Sequence, residues 1–146
     1  MDIRRLTDRY AVAPQLDPQD MAALAEQGFT TVICNRPDDE VGPDHASDAM
    51  AEAARAAGLD FVLNPVSNGG MGPAQITAQA EALAKADGPT LAYCRSGTRS
   101  TFVWAFGVAP VMPVEDIVAR AGEAGYDLSP VVPQLRALAG QSGAQG

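Results

Sequence analysis

Cysteine and histidine are scarce in this sequence, and their scarcity narrows the chemistry it can perform. The 146 residues include two cysteines and one histidine. A structural zinc site takes four such ligands at characteristic spacings, and no such spacing occurs here, so we expect no metal and no cofactor. The N-terminal residues form no apolar leader, so we expect a cytoplasmic protein in which Cys34 and Cys94 stay reduced.

Positive charge and long apolar stretches are also scarce. The 10 Lys and Arg are outnumbered by 18 Asp and Glu, which gives a formal net charge of -8. Nucleic acids are bound through clustered positive charge, so we expect no nucleic-acid partner. The longest apolar stretch, residues 101–114, contains Pro110 and Pro113 and is too short to span a bilayer, so we expect no membrane partner.

The sequence does contain the alternation of strands and helices that is typical of an α/β protein. Its length predicts one catalytic domain over residues 1–139, followed by a flexible tail over 140–146. Residues 3–13 predict a short N-terminal β-hairpin. Further strands are predicted at 29–34, 59–63 and 89–93, and helices at 17–28, 46–57, 73–87, 99–108, 114–121 and 130–139. This order predicts a mainly parallel sheet flanked by helices, with ligands bound at the carboxyl ends of the strands.

A short loop between the last predicted strand and the following helix carries the clearest chemical signal. The loop consists of Cys94, Arg95, Ser96, Gly97, Thr98, Arg99 and Ser100. Its backbone N–H groups and the helix N-terminus predict a cradle for an anion. The same electrostatic field favours a thiolate, so Cys94 is the expected nucleophile.

Three residues of this loop are the expected catalytic residues. Besides Cys94, Arg99 is expected to bind an oxyanion through two parallel hydrogen bonds, and Ser100 to donate its hydroxyl to the thiolate. The expected substrate-binding residues are Arg95, Ser96, Gly97 and Thr98. The simpler interpretation is a buried core cysteine with arginines that solvate a turn. The order of Cys, Gly, Arg and Ser between a strand and a helix favours catalysis instead.

Four stretches of the sequence resemble one known family. They are residues 2–7, 35–38, 92–100 and 124–128. Together they resemble the small bacterial phosphatase-like domain that also forms the N-terminal part of beta-lactamase-hydrolase-like proteins, and the loop also resembles that of rhodaneses. The resemblance implies a tyrosine-phosphatase-like α/β fold in a cytosolic bacterial protein. In related longer proteins the domain is joined to a metallo-hydrolase that resembles persulfide dioxygenases, which implies a link with sulfide metabolism.

The spacing within the loop separates two candidate reactions. Four residues lie between Cys94 and Arg99, which is the rhodanese pattern, whereas tyrosine phosphatases have one residue more. Phosphatases also need an acid to protonate the leaving group, and residues 64–72, the corresponding upstream loop, contain none. We therefore expect a sulfurtransferase, in which Cys94 takes sulfane sulfur from thiosulfate or a small persulfide and passes it to a thiol acceptor.

Two alternative functions stay open. A cysteine-dependent, dual-specificity-like phosphatase would hydrolyse a small phosphorylated substrate through a Cys94 phosphoenzyme, with Asp38 or Asp39 as candidate general acid. Those two residues are equally typical of an exposed acidic turn. An anion- or redox-sensing module would use the same loop without turnover. Cys34, at the end of another strand, is a candidate resolving cysteine or simply a packed strand residue.

Overall fold

The computed structural model describes residues 1–67 and 71–145, with side chains described as far as residue 140. Within these residues five strands form one sheet: β1 (Arg4–Arg5), β2 (Tyr10–Ala13), β3 (Thr31–Cys34), β4 (Asp60–Leu63) and β5 (Thr90–Tyr93). Their order across the sheet is β1-β2-β5-β3-β4. β1 pairs antiparallel with β2, and the other neighbours are parallel. The predicted α/β class and N-terminal hairpin are confirmed.

Helices cover both faces of the sheet. The described residues form α1 (Asp20–Glu26), α2 (Ser47–Ala56), α3 (Pro73–Lys85), α4 (Thr98–Val108), α5 (Val114–Glu123) and α6 (Val132–Gln145). Short 3-10 turns lie at Asp38–Glu40, Pro43–His45 and Ser129–Val131. Among the described helices, none combines the length and the apolar character needed to cross a membrane.

The first and last helices differ from the predicted bounds. α1 begins at Asp20 rather than at residue 17, because Asp17 and Asp20 close a turn that precedes the helix. The Asp17 N–H donates to Asp20 Oδ2 at 2.9 Å, and the Asp20 N–H donates to the Asp17 carbonyl at 2.9 Å. α6 continues to Gln145, past the predicted end at residue 139. Flexibility of residues 140–146 stays a prediction, and residue 146 lies outside the described residues.

Strand side chains alternate between the two faces of the sheet, and both faces are buried. On one face Tyr10, Val12, Ile33 and Ala92 belong to a core formed with α3, α4, α5 and α6. On the other face Ala11, Ala13, Val32, Cys34, Leu91 and Tyr93 pack against α1 and α2. The strands β2, β3 and β5 are therefore continuous apolar segments, as expected for parallel strands that are covered on both sides.

The carboxyl ends of the three central strands meet at one edge of the sheet. Beyond β3, the Asn35 N–H donates to the Tyr93 carbonyl at 2.8 Å. Beyond β5, the Cys94 N–H approaches the Ala13 carbonyl at 3.4 Å. These bonds continue the sheet by one residue and fix where the loop carrying Cys94 begins.

Candidate active site

The loop between β5 and α4 directs a backbone N–H at the sulfur of Cys94. Cys94 is fully buried, and the Gly97 N–H donates to its Sγ at 3.1 Å. Gly97 has a φ of 92°, a left-handed conformation that glycine adopts without steric cost, and it lets the chain turn directly into α4. The N-terminus of α4 follows at Thr98, so the helix dipole and the Gly97 N–H both favour a negative charge on the sulfur.

Arg99, in the first turn of α4, is held by a two-point ion pair with Glu40. Its Nη1 donates to Glu40 Oε2 at 2.8 Å and its Nη2 donates to Oε1 at 2.7 Å. Nη1 also donates to the Val66 carbonyl at 2.7 Å. The hydrogen bond with Glu40 is the chief reason that the pKa of Arg99 is raised, and the charge of the nearby Cys94 contributes to the same shift.

This arrangement leaves one edge of the Arg99 guanidinium available for a ligand. Among the described residues, no oxygen or nitrogen accepts a hydrogen bond from its Nε–H or from the second N–H of Nη2, and the Cys94 sulfur is near enough to the guanidinium to contribute to its raised pKa. These two N–H groups lie side by side on a planar fork, which is the geometry that binds an oxyanion through two parallel hydrogen bonds. The expected oxyanion-binding role of Arg99 therefore has a specific donor edge.

A second arginine fixes Glu40. The Arg36 Nε donates to Glu40 Oε1 at 3.3 Å, and its Nη2 donates to the Glu40 carbonyl at 3.0 Å. Its Nη1 donates to Gln15 Oε1 at 3.2 Å. The hydrogen bond from Arg99 is the chief cause that lowers the pKa of Glu40, with a smaller contribution from Arg36. Glu40 is thus an ionised orienting group, and sequence reasoning missed it, although it follows Asp39 in the same acidic turn.

The two candidate general acids lie on the turn that carries Glu40. Both oxygens of Asp38 accept from Ser47: Oδ1 from its N–H at 2.7 Å and Oδ2 from its hydroxyl at 2.7 Å. Asp38 therefore accepts a hydrogen bond from the first N–H group of α2, which has no partner within the helix. Asp39 is exposed. A general-acid role for either residue stays a prediction, and Asp38 would have to leave Ser47 to perform it.

The Ser100 hydroxyl has a different partner from the one expected. It donates to Asn35 Oδ1 at 2.9 Å and not to the Cys94 sulfur. The reason is that Asn35 is fully buried and its carbonyl oxygen needs donors. The structure thus corrects the expected hydrogen bond from Ser100 to the thiolate, although Ser100 does lie in the loop behind Cys94.

Ser100 belongs to a buried polar network of five residues: Tyr10, Asn35, Asn64, Gln79 and Ser100. Gln79 lies at its centre, because its Oε1 accepts from Asn35 Nδ2 and Asn64 Nδ2, each at 2.8 Å. The Gln79 Nε2 donates to the Tyr10 hydroxyl at 2.9 Å, and that hydroxyl donates to the Ser100 carbonyl at 2.7 Å. None of the five is more than 5% exposed. The network joins β2, β3 and α3 to the start of α4 and so fixes the loop relative to the sheet.

The outer side of the loop faces solvent and the segment between α5 and α6. Arg95, Ser96 and Thr98 are exposed, and their role in binding a substrate stays a prediction. The Ser96 hydroxyl donates to the Thr98 hydroxyl at 3.0 Å. The Tyr126 hydroxyl donates to the Ser96 carbonyl at 3.0 Å. Tyr126 lies in one of the stretches that carry the family resemblance, but its contact with the loop was not foreseen.

Cys34 lies at the same edge of the sheet but faces α1 and α2. Its partner in the strand register is Tyr93, and both cysteines are free thiols. Its Sγ donates to the Arg36 carbonyl at 3.3 Å, and burial raises the pKa of the Cys34 thiol. Burial, the largest of the causes that shift this pKa, thus favours the neutral thiol over the nucleophilic thiolate. A resolving role for Cys34 stays a prediction.

Comparison with known sequences identifies the family. Residues 2–111 match the family described as the phosphatase-like domain of beta-lactamase hydrolase-like protein. A beta-lactamase hydrolase-like protein of Xylella fastidiosa is 31% identical over 144 residues, which cover 97% of this chain and 33% of that protein. The chain spans between 24% and 33% of the length of the curated relatives that it matches.

Solved structures agree with this family. A protein of Neisseria meningitidis described as a "putative phosphatase" is 32% identical, with a TM-score of 0.82 over 94% of this chain and 99% of that one. TpbA of P. aeruginosa, solved in complex with phosphotyrosine, has a TM-score of 0.64 at 17% identity over 95% of this chain and 90% of that one, which shows the fold alone. These matches confirm the expected tyrosine-phosphatase-like fold. The chain therefore belongs to the family of phosphatase-like domains of beta-lactamase hydrolase-like proteins.

Proposed function

We propose that this domain is a cysteine-dependent phosphatase that hydrolyses a small phosphorylated substrate through a phosphoenzyme on Cys94. The observation that carries the proposal is the donor edge of Arg99, held beside Cys94 by Glu40 with two N–H groups available for an oxyanion. The family and the fold support phosphoryl transfer over the sulfur transfer that the spacing of the loop favoured.

The reaction follows from these groups in two displacements. The Cys94 thiolate attacks phosphorus, an S–P bond forms, and the leaving group departs with the electron pair of its P–O bond. The donor edge of Arg99 and the backbone N–H groups of the loop bind the phosphoryl oxygens and stabilise their charge. Water then attacks the phosphoenzyme, the S–P bond breaks, and inorganic phosphate leaves Cys94 as the thiolate.

The carboxylates near the loop indicate which leaving group fits. Glu40 is ionised between two arginines, and both oxygens of Asp38 are bonded to Ser47. Residues 64–72 contain no acidic residue. A leaving group that departs with little protonation suits such a site, and a phenolate is a much weaker base than an alkoxide. Aryl phosphates are therefore the substrate class that we propose, the class of the phosphotyrosine bound by TpbA.

Sulfur transfer is the second candidate function, and the four residues between Cys94 and Arg99 favour it. In this reaction Cys94 attacks the sulfane sulfur of thiosulfate, an S–S bond forms, and sulfite leaves with the electron pair of the broken bond. A thiol acceptor then removes the sulfur from the Cys94 persulfide. Sulfite needs no proton in order to leave, which suits the bonded state of Asp38 and Glu40.

One preparation of the protein can separate the candidates. We would supply p-nitrophenyl phosphate to one sample and thiosulfate to another, with Cys94→Ser as the control, and measure released phosphate and intact mass. Phosphate release with an acid-trapped phosphoryl group on Cys94 supports the phosphatase. Gain of one sulfur atom without phosphate release overturns it in favour of sulfur transfer. Phosphate binding without either product overturns both in favour of a sensing module.

A further inference from the structure

The peptide group between Ser96 and Gly97 is held from both ends. Its carbonyl oxygen accepts from the Tyr126 hydroxyl at 3.0 Å, and its N–H donates to Cys94 Sγ at 3.1 Å. The carbonyl and the N–H of a trans peptide point in opposite directions. A donor that fixes the carbonyl outward therefore fixes the N–H inward, on the sulfur.

Tyr126 packs directly against this turn. It is 9% exposed, and a Cβ added at Gly97 would collide with its hydroxyl oxygen. Burial raises the pKa of Tyr126, so its hydroxyl keeps the proton that it donates to Ser96. The side chain is thus a buried donor to the Ser96–Gly97 peptide, whose N–H donates to the Cys94 sulfur.

Arg4, in β1 of the N-terminal hairpin, contacts Tyr126 and the backbone near it. The Arg4 Nη1 donates to the Ala124 carbonyl at 2.7 Å, and its guanidinium carbon lies 5.7 Å from the centre of the Tyr126 ring. The Nη2 of Arg4 donates to Asp2 Oδ2 at 3.1 Å, so the guanidinium is bonded on both sides. The chain of contacts runs from β1 through Tyr126 and the Ser96 carbonyl to the sulfur.

We propose that Tyr126 is a positioning residue for the nucleophile: by binding the Ser96 carbonyl, it holds the Gly97 N–H on Cys94 and so stabilises the thiolate. Without the Tyr126 hydroxyl, the peptide can rotate and turn its carbonyl oxygen toward the sulfur, where its negative end opposes the thiolate charge. The proposal rests on the proposed function only in taking Cys94 as the nucleophile.

The pH profile of Cys94 alkylation tests this role without any substrate. Tyr126→Phe removes the hydroxyl and keeps the ring. We expect the midpoint of the profile to move to higher pH and the rate at neutral pH to fall by about 3- to 10-fold. Iodoacetamide is the reagent, and mass mapping of peptides separates Cys94 from Cys34, whose alkylation in the same sample should not change.

Tyr93→Phe is the matched control variant. The Tyr93 hydroxyl is buried beside the Cys34 thiol, and its ring packs with α1 and α2, away from the contact between Tyr126 and Ser96. Removing that hydroxyl should leave the Cys94 profile in place. In labelled protein, the Gly97 amide resonance should also shift as Cys94 ionises, and this shift should shrink in Tyr126→Phe.

The outcomes separate a positioning role from a purely structural one. A lower unfolding temperature with an unchanged alkylation profile would overturn the proposal. If the profile moves while the unmodified protein hydrolyses no phosphate ester, Tyr126 positions Cys94 but the phosphatase function is wrong. If the unmodified protein is an active phosphatase and the profile does not move, the function holds and the role of Tyr126 is wrong.

Discussion

Two sets of polar residues support the loop, and they differ in charge and depth. Arg36, Glu40 and Arg99 form a charged cluster whose side chains keep 11% to 24% of their surface exposed. The buried polar network centred on Gln79 contains only neutral groups. Burying unpaired charge is costly, whereas a neutral amide or hydroxyl is tolerated in the core once its hydrogen bonds are made. The charged cluster thus orients the donor edge of Arg99, and the neutral network fixes the position of the loop relative to the sheet.

The largest effect is expected from breaking the charged cluster at Arg99. Arg99→Ala removes the donor edge, and loss of such an oxyanion-binding group costs on the order of 10²- to 10³-fold in turnover. Arg99→Lys keeps the charge but cannot form two parallel bonds, so it should recover little of that activity. The measurement is kcat and KM for an aryl phosphate. Full activity in Arg99→Lys would show that charge alone, and not the donor edge, is what matters.

Breaking the neutral network should lower the stability of the protein more than it lowers turnover. Gln79→Leu removes four buried hydrogen bonds, namely two with Asn35, one with Asn64 and one with the Tyr10 hydroxyl, although each of these residues keeps another partner. A buried hydrogen bond contributes about 0.5–1.5 kcal/mol. We expect a loss of roughly 2–4 kcal/mol in the free energy of unfolding, measured with urea at neutral pH.

An exposed amide provides the control for that comparison. Gln19 precedes α1 and makes no side-chain hydrogen bond at the cap. Gln19→Leu should change the free energy of unfolding by less than about 0.5 kcal/mol. Equal losses in the two variants would mean that the network contributes no more than a surface residue.

Asp38 and Ser47 offer a matched pair that distinguishes a helix cap from an acid. If Asp38 only caps α2, Asp38→Asn and Ser47→Ala should each cost about 0.5–2 kcal/mol of stability with similar turnover. If Asp38 also protonates the leaving group, only Asp38→Asn should lose turnover, and more steeply for alkyl than for aryl phosphates. Rates for a series of phosphate esters decide between the two roles.

The smallest effect is the pH dependence of the charged cluster. Because the folded protein lowers the pKa of Glu40, its ion pair contributes stability above the ordinary glutamate pKa and loses it as pH falls through the lowered value. The unfolding free energies of the unmodified protein and Glu40→Gln should therefore differ near neutral pH and converge in acid. A difference that persists at low pH would mean that Glu40 acts through shape and not through charge.

The sequence predicted what is local and missed what is distant. The strand, the helix start, Cys94 and Arg99 lie within one continuous stretch, so their order alone predicts the cradle. Glu40 lies 59 positions from Arg99, and Tyr126 lies 30 positions from Ser96. No spacing rule joins such pairs, because only the folded topology brings them together.

Ser100 shows why a local prediction can fail within a correctly identified loop. Its hydroxyl is near Cys94 in sequence, but Asn35, 65 positions away, provides a buried acceptor that takes the hydrogen bond. The competing partner lies directly after a different strand, β3, which the loop sequence does not reveal. Sequence order therefore placed Ser100 in the right loop but did not predict its hydrogen-bond partner.

The contact between Arg4 and Ala124 spans 120 positions, and this separation has a consequence for protein synthesis. A ribosome that has released the sheet and α4 has already exposed Cys94, but the outer wall of its cradle is incomplete until residue 126 emerges. The contact between Tyr126 and Ser96 therefore forms only after most of the chain has been synthesised. A nascent chain that stalls before that point carries Cys94 without the support that we propose for the Ser96–Gly97 peptide.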